Sequence, residues 1–447
     1  MFNIFLGMTE RATGRSPGAR KTNSYLRDRT PTVWQVTNAT PPVICDGDAY
    51  FQDPAGFFAR LRETGPVAEA WMPHYGRAWV VTGYAEVRAA LADPRLAKDV
   101  GRWPGGGRTR PSLATGVEAH MLHRDPPDHT RLRRLAQKAF TPRRAAMRPR
   151  AQQIAAGLLD ELAAAAGDDG DVVDLLARYA RPLPIAVICE LLGVPAADRE
   201  WLRATVYAYD DPAQHERVER ELAAYFTGLI AAKRADPGDD LVSALVLARD
   251  DTDGEDADGE DADRAPDGLS PAELLAMVYL LVMAGFDTTV NLIASGTLAL
   301  LTHPGELARL RADPSLLPAA VEELLRFTSP VNHANDRFTT EPVTIGGVTI
   351  PAGEWVFVAI SSADRDPAQY PAPDRLDLGR DTSGHVAFGH GVHHCLGAPL
   401  ARMEAEVALG ALLPRYPGLS LAVPRQDLRW RPVSLMNGLE SLPVRLT

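Results

Sequence analysis

Cysteine and lysine are both scarce in this chain of 447 residues. The three cysteines, Cys45, Cys189 and Cys395, are too few and too widely spaced for a disulfide framework or a multi-cysteine zinc site. Their scarcity favours a reducing compartment. The net charge is −11, so the chain lacks the broad basic surface that nucleic-acid-binding proteins use. We therefore expect no nucleic-acid partner.

The sequence also lacks targeting and membrane signals. The apolar start, Met1–Gly7, is far shorter than the roughly 20 residues of a spanning helix. No basic segment precedes it and no small-residue cleavage site follows it, so it does not indicate a secretory signal. We expect a cytoplasmic protein without a membrane partner. Hydrophobic residues make up 45% and charged residues 23%, which is ordinary for a globular protein and predicts that the chain folds.

Two segments differ in composition from the rest. Residues 1–40 show no hydrophobic period and are predicted to form a disordered N-terminal extension. Residues 250–263 hold nine acids and a tandem repeat of the pentapeptide DGEDA, and predict an acidic surface loop. The EF-hand pattern fails there because neither Gly254 nor Gly259 has an acid five residues before it. Residues 41–447 are predicted to form a single domain.

Hydrophobic periodicity predicts a mainly α fold with a minor antiparallel β part. Short β-like runs occur at Ala78–Thr82 and at Val343–Ile350, where two glycines indicate a hairpin turn. The longer periodic segments are helical, and they include Arg150–Ala166, Leu183–Leu192, Arg217–Ala235 and Leu274–Leu301.

Ser270 begins the longest predicted helix. Ser270 and Glu273 form a capping box, with proline at the first helical position. The helix extends over about 270–301, which is ~45 Å at 1.5 Å per residue. Its apolar stretch, Leu274–Phe286, is too short for a membrane span and is typical of a buried core helix.

Asp287 and Thr288 follow this apolar stretch. A carboxylate in a buried helix is costly unless it is paired or used in chemistry, whereas an acid at a surface turn needs no special role. Ala284 and Gly285 come just before it, and the glycine costs the helix about 1 kcal/mol. Small residues there would let a bulky group approach the backbone. The residues alone leave a functional acid and a surface acid equally open.

Cys395 lies in a loop, Phe388–Pro399, that also contains three glycines and three histidines. Glycine permits a tight loop and close backbone approach, and the N-terminus of a helix predicted over Leu400–Leu413 favours a thiolate. A zinc site made of Cys395 and the three histidines is disfavoured, because four ligands within six residues can hardly surround a tetrahedral ion. An inert buried cysteine and a single thiolate on the iron of a haem both remain open.

The stretch Phe388–Ala398 resembles the cysteine loop of the cytochromes P450, the haem-thiolate monooxygenases, and in particular of their soluble bacterial members. Four further stretches resemble motifs of that family in the same order, and they are Asp125–Arg134, Ala284–Thr289, Glu323–Arg326 and Ala363–Pro367. In the last of these, Asp364 replaces the asparagine that is usual in the family. The resemblance covers about residues 41–447. It implies the P450 fold, with the long central helix over the haem.

The resemblance also implies a role for each matching residue. Cys395 would be the axial thiolate ligand of the haem iron, and the cofactor would be haem b (iron protoporphyrin IX) with O2 as co-substrate. The other residues that would bind the cofactor are Phe388, Gly389, His129, Arg133, Arg337, His393, Ala284 and Gly285. The basic ones among them would hold the haem propionates, because buried carboxylates need charge-assisted partners.

Two further pairs take roles from the resemblance. Asp287 and Thr288 would be the catalytic acid–alcohol pair that relays protons during oxygen activation. Glu323 and Arg326 would be structural, since their i, i+3 spacing places them on one helical face.

The substrate pocket is less well defined. By resemblance, its apolar lining would include Met283, Phe286, Val331 and Met436, with polar contacts from Asn332, His333 and Asn437. This balance is typical of a site for a medium-sized, partly polar organic molecule.

The electrons must come from another protein, because the chain has no multi-cysteine run for an iron–sulfur cluster and no room for a flavin domain. The resemblance implies a ferredoxin and a ferredoxin reductase. Arg124–Arg150 holds nine basic and two acidic residues, and opposite charge would steer an acidic ferredoxin to it. A solvated helix face is the alternative.

The sequence therefore predicts a monooxygenase that inserts one oxygen atom from O2 into an organic substrate, by hydroxylation or epoxidation in secondary-metabolite (antibiotic) biosynthesis. One alternative uses the same haem chemistry for oxidative coupling, ring formation or isomerisation. A second is a non-catalytic relative that binds a carrier-protein partner. The second is disfavoured because Cys395, Asp287 and Thr288 are all present.

Overall fold

The computed structural model describes residues 43–73, 75–106, 117, 119–166, 172–209, 211–249 and 268–446. The predicted extension 1–40 and the acidic loop 250–263 lie outside these residues.

Helices dominate the described part of the chain, as the periodicity predicts. Their bounds are α1 (Asp48–Phe51), α2 (Pro54–Glu63), α3 (Tyr84–Ala92), α4 (Asp128–Ala146), α5 (Arg148–Ala166), α6 (Pro182–Leu192), α7 (Arg199–Ala208), α8 (His215–Ala235), α9 (Leu241–Leu247), α10 (Pro271–Thr302), α11 (Pro304–Ala312), α12 (Leu317–Thr328), α13 (Ile360–Ala363) and α14 (Ala398–Arg415). The predicted helices correspond to α5, α6, α8, α10 and α14, with ends that differ by a few residues.

The strands are short and form three small sheets. Their bounds are β1 (Val43–Ile44), β2 (Val67–Met72), β3 (Gly76–Val81), β4 (Leu96–Ala97), β5 (Val173–Asp174), β6 (Arg337–Thr339), β7 (Val343–Ile345), β8 (Val348–Ile350), β9 (Trp355–Val358), β10 (Ser420–Leu421) and β11 (Pro443–Arg445). The largest sheet has the order β1-β2-β3-β9-β6-β4. It is mixed rather than purely antiparallel, because β1 pairs with β2, and β3 with β9, in parallel.

The predicted hairpin is present as β7 and β8, with Ile345 opposite Val348. Gly346 and Gly347 form the turn with φ values of 54° and 82°. Both values lie in the left-handed region, which glycine adopts without strain. The turn glycines therefore fix the register of this hairpin.

Helix α10 is the central element. The predicted capping box is present, because the Ser270 hydroxyl accepts from the Glu273 N–H and the Glu273 carboxylate accepts from the Ser270 N–H. By length and composition, Pro271–Thr302 could span a membrane. However, 78% of its apolar stretch of 18 residues is buried inside the protein. It packs against α6, α8, α12 and α14, as a core helix does. Its middle and the loop before α14 both border the cavity described next.

Candidate active site

Cys395 lies just before α14, in the turn that its glycine-rich sequence predicts. Its backbone N–H donates to the carbonyl oxygen of Phe388 over 2.9 Å, which closes the loop. Gly389 has a φ of 73°, a conformation that side-chain-bearing residues rarely adopt. Cys395 is accessible from an internal cavity, which Phe388 and Gly389 also border.

The surroundings of Cys395 stabilise its anion in part. Burial raises the pKa of its thiol, while N–H groups of Gly397 and Ala398 and the charges of Arg133 and Arg402 act in the opposite direction. A sulfur that faces a cavity and receives N–H groups from a helix N-terminus is suited to bind a cation there.

The other two cysteines differ from Cys395 in their environment. Cys45 and Cys189 are buried, and burial raises the pKa of each thiol to about 12. Both are therefore neutral and inert near neutral pH.

Five basic side chains converge at one edge of the cavity, and they are Lys98, His129, Arg133, Arg337 and His393. The rings of His129 and His393 lie 4.2 Å apart. Burial and the nearby charges of Arg133 and Lys98 lower the pKa of His129 to about 4. Burial lowers the pKa of Arg337 to about 10. This edge, here called the cationic edge, therefore combines positively charged side chains with imidazole rings that tend to stay neutral.

Several buried polar atoms at this edge have no hydrogen-bond partner among the described residues. They include both ring nitrogens of His129 and Nε of Arg337. Buried polar atoms in native proteins are normally paired. The cationic edge thus fits a bound group that carries two carboxylates, and the sulfur of Cys395 fits its metal. A haem has both.

Helix α10 forms another wall of the cavity. Ala284, Gly285 and Thr288 all border it. The Thr288 hydroxyl donates to the carbonyl oxygen of Ala284 over 2.9 Å. The small residues leave this stretch of helix backbone open to the cavity, with a hydroxyl beside it.

Asp287 lies on a different side of α10 from Thr288. Its carboxylate accepts two hydrogen bonds, of 2.7 and 2.8 Å, from Nη2 of Arg431. The same Nη2 donates to Asn291 over 3.2 Å. The acid is buried because it is paired, and it does not itself border the cavity. The sequence alone did not indicate this pairing.

The structure supports only part of the predicted substrate lining. Val331, His333 and Met436 border the cavity, whereas Met283, Phe286 and Asn332 do not. Phe286 stacks on Tyr207, with the ring centroids 5.6 Å apart. Asn332 and Met283 also contact other parts of the protein. Asn332 donates to the carbonyl oxygen of Ser434 over 3.2 Å, and Met283 is buried in the helical core.

The predicted Glu323–Arg326 pair is fully buried on α12. Nε and Nη2 of Arg326 donate to the Glu323 carboxylate over 2.7 and 2.9 Å. Nη1 of Arg326 donates to the carbonyl oxygens of Asp364 and Pro373. Arg380 also donates to Glu323, over 3.2 Å. This network fixes the chain that leads to the cysteine loop.

Sequence reasoning missed four charged residues of this region. Lys98 at the cationic edge is one of only four lysines in the chain, which was the one available signal. Arg380 and Arg431 lie in loops without periodicity. Glu404 borders the cavity from α14. Burial raises the pKa of the Glu404 carboxyl well above its usual value, and its position among apolar helix residues was the signal for it.

Comparison with known proteins gives a consistent result. The family model for cytochrome P450 matches residues 212–427. The chain is 47% identical over 421 residues to cytochrome P450 107B1 of Saccharopolyspora erythraea, covering 92% of this chain and 99% of that protein. It is 46% identical over 418 residues to the cytochrome P450 monooxygenase PikC of Streptomyces venezuelae, covering 92% and 96%.

Solved structures agree in fold. The ligand-free P450 monooxygenase TamI superposes with a TM-score of 0.80 at 46% identity, covering 91% of this chain and 95% of that one. The cytochrome P450 PksS of the Bacillus subtilis bacillaene synthase gives a TM-score of 0.80 at 39% identity, covering 90% and 98%.

Proposed function

The chain belongs to the cytochrome P450 family of haem-dependent monooxygenases, and from this premise we propose that it hydroxylates or epoxidises a polyketide or macrolide in bacterial secondary metabolism. Its electrons would come from a separate ferredoxin system in the cytoplasm, and its cofactor would be haem b. The observation that carries the proposal is one cavity in which Cys395, the cationic edge and the open stretch of α10 all meet.

The relatives support this class of substrate. The chain is 43% identical to a protein named mycinamicin IV hydroxylase/epoxidase from Micromonospora griseorubida and 44% identical to the 6-deoxyerythronolide B hydroxylase of Saccharopolyspora erythraea. The cavity walls above the cationic edge are largely apolar, with Met121, Leu280, Val331 and Met436 among them. An apolar cavity with few polar groups suits a large, weakly polar ring.

Different residues of the site would bind different parts of the haem. Cys395 would hold the haem iron through its sulfur, while Arg133 and Arg337 would pair with the propionates. When bound, the haem supplies the iron at which O2 is activated. Phe388 borders the same cavity as Cys395 and would limit the access of water to the sulfur.

Thr288 and Asp287 would handle protons. The Thr288 hydroxyl lies at the cavity wall and can pass a proton from its Oγ when it exchanges the Ala284 carbonyl for a water. Asp287, one residue earlier, is held by the guanidinium of Arg431, which donates to both carboxylate oxygens, so a relay through this acid would need the ion pair to open. The mobility of Arg431 would therefore limit proton delivery.

The first experiment is the carbon monoxide difference spectrum of the dithionite-reduced, haem-loaded protein. We expect the strongly red-shifted band of a thiolate-ligated haem, and we expect its loss in Cys395→Ser. Cys45→Ser is the matched control, because Cys45 is a buried, inert thiol. A wild-type protein that binds haem without this band would refute the proposal.

The ferredoxin route predicts a dependence on salt. Arg134 is exposed on α4, within the basic segment. We expect Arg134→Glu to slow reduction by an acidic [2Fe–2S] ferredoxin about tenfold at low salt, and less at high salt where screening is strong. Stopped-flow reduction measures this rate. Arg60→Glu, exposed on α2, is the control, and equal effects of both substitutions would contradict docking at α4.

A further inference from the structure

Asp364 is a buried aspartate that touches the start of the cysteine loop. It lies just after α13 and is 0% exposed. Its Oδ1 accepts a hydrogen bond of 2.7 Å from the backbone N–H of Val386, two residues before Phe388. Its Oδ2 is buried and has no hydrogen-bond partner among the described residues. The carboxyl group is therefore satisfied on one oxygen only.

The arginine side chains around Asp364 donate their hydrogen bonds to other acceptors. Arg326 uses Nε and Nη2 for Glu323, and Nη1 for two backbone carbonyls. Arg380 donates to Glu323 and to carbonyl oxygens of the loop 371–375. Arg365 donates to the Phe327 carbonyl and to Asp374. None of these donors reaches the side chain of Asp364.

The other titratable groups near Asp364 make no hydrogen bond to it either. Nδ1 of His385 lies 3.2 Å from the Ala387 nitrogen and Nε2 lies 2.9 Å from the Glu322 carboxylate, so both ring nitrogens have partners other than Asp364. Tyr370 lies beside Arg326, and its hydroxyl also has no partner among the described residues. Glu323 adds a negative charge from α12.

An ionised oxygen in this position would be uncompensated. Burying a charge without a donor is costly, and the group responds by staying neutral. Burial raises the pKa of Asp364 to about 7, with Glu323 acting in the same direction and with His385, Val386 and Arg326 opposing it. Near neutral pH the side chain is thus poised between carboxylic acid and carboxylate.

We propose that Asp364 is a positioning residue for the cysteine loop, which anchors Val386 as a neutral carboxylic acid and destabilises the folded turn around that anchor when it ionises in mildly alkaline solution, because the charge on its buried Oδ2 would have no donor. The P450 motif that Ala363–Pro367 resembles has asparagine here, and an amide of the same shape cannot ionise. The pH response is therefore a property of this chain. Its consequence for haem ligation rests on the proposed function, whereas its consequence for stability does not.

The sign of the effect follows from proton linkage. The folded protein holds this proton more tightly than the unfolded chain, so the contribution of Asp364 to stability is largest at acid pH and is lost as pH rises from about 4 to about 7. Relative to Asp364→Asn, the unfolding equilibrium constant of the wild type should rise by up to about tenfold per pH unit across this range. Asp364→Asn should thus raise the melting temperature of the haem-loaded protein at pH 8 more than at pH 5.

Asp366→Asn provides the matched control. Asp366 lies in the same turn, but its oxygens accept from the N–H groups of Tyr84 and Ala368 over 2.8 and 2.9 Å. We expect this substitution to lower the melting temperature equally at every pH. His385→Gln tests whether the imidazole of His385 causes the effect. We expect the pH-dependent difference in melting temperature that Asp364→Asn produces to persist in this background.

The absorbance of the carbon monoxide complex reports whether the Cys395 sulfur is bound to the haem iron. In the carbon monoxide complex at fixed urea, the thiolate band of the wild type should be lost at a lower pH than that of Asp364→Asn. Identical pH profiles for the two proteins, or a shift of equal size at every pH, would overturn the proposal. Asp364→Ser serves if the asparagine variant does not fold. A band absent from every variant at pH 6 would instead refute the proposed function, while the melting profiles would still test Asp364.

Discussion

Single residues behind the cysteine loop show how its position is held. Glu322 on α12 accepts hydrogen bonds from Nε and Nη2 of Arg402 over 2.6 and 2.8 Å, and from His385 over 2.9 Å. The Arg402 guanidinium also lies 4.5 Å from the ring centre of Phe388. Burial opposes ionisation of Glu322, but the hydrogen bonds from Arg402 and His385 outweigh it and lower its pKa to about 2. One carboxylate thus links α12, α14 and the loop.

We expect Arg402→Gln to lower the free energy of unfolding by about 1–2 kcal/mol at pH 7, because charge-assisted hydrogen bonds contribute this much when partly screened. The depressed pKa of Glu322 means that its ion pair stabilises the fold above about pH 4.5 and is lost as pH falls toward 2. The free energies of unfolding of the variant and the wild type should therefore differ less at pH 4 than at pH 7. Urea denaturation at pH 7 and pH 4 measures it.

Arg415→Gln is the matched control for this prediction. Arg415 lies on the same helix and pairs with Asp160 over 2.9 Å, but the two side chains are 51% and 70% exposed. Exposed pairs contribute little, so no measurable change is expected. A loss in Arg415→Gln as large as that in Arg402→Gln would contradict the assignment.

At the scale of elements, α10 is tied to distant parts of the chain at two points. Arg131 of α4 pairs with Glu273 in the capping box at its N-terminus. In its middle, Asp287 pairs with Arg431, which lies in the segment 428–442 before β11, here called the C-terminal segment. That segment also contributes Leu435 and Met436 to the cavity. The ion pair therefore connects the helix that borders the cavity to the segment that would contact substrate.

A double-mutant cycle tests this connection. We expect Asp287→Asn and Arg431→Gln each to lower the free energy of unfolding by about 2–4 kcal/mol, because each removes one charge of a nearly buried ion pair. The double variant should cost clearly less than the sum. Urea denaturation of the haem-loaded proteins gives the coupling, and additive losses would show that the pair contributes nothing as a pair.

At the scale of the whole molecule, the cavity draws on most of the fold. Its lining comes from α3, α4, α6, α10, α12, α13 and α14, from the cysteine loop and from the C-terminal segment. A group that fills this space contacts elements from both ends of the chain. Its binding should therefore stabilise the molecule as one unit.

Removal of the haem is expected to lower the melting temperature substantially. Haem in thousandfold excess over its dissociation constant adds about 4 kcal/mol, and its absence also leaves the charges of Arg133 and Arg337 uncompensated. Calorimetry of the protein with and without haem measures the difference. Equal melting temperatures would show that the cavity lining is stable without the group and would contradict this view.

Local sequence signals predicted the helices and the hairpin well. The capping box at Ser270, the apolar period of Leu183–Leu192 and the glycine pair of the β7–β8 turn all act within a few residues, so the chain segment itself decides them. The run Ala78–Thr82 predicted β3, whereas the other strands were missed, since many have only two or three residues. Their pairing, as between β3 and β9, joins segments more than 270 residues apart.

The sequence by itself determined the class of site, because the loop around Cys395 resembles the P450 cysteine loop, whereas its glycines and cysteine alone left an inert thiol open as well. Only the tertiary structure decided the partners of the charged groups. The pairing of Asp287 with Arg431, the single satisfied oxygen of Asp364 and the place of Lys98 at the cationic edge each depend on residues brought together from distant segments. Charge and burial are set by three-dimensional neighbours, and linear spacing does not encode them.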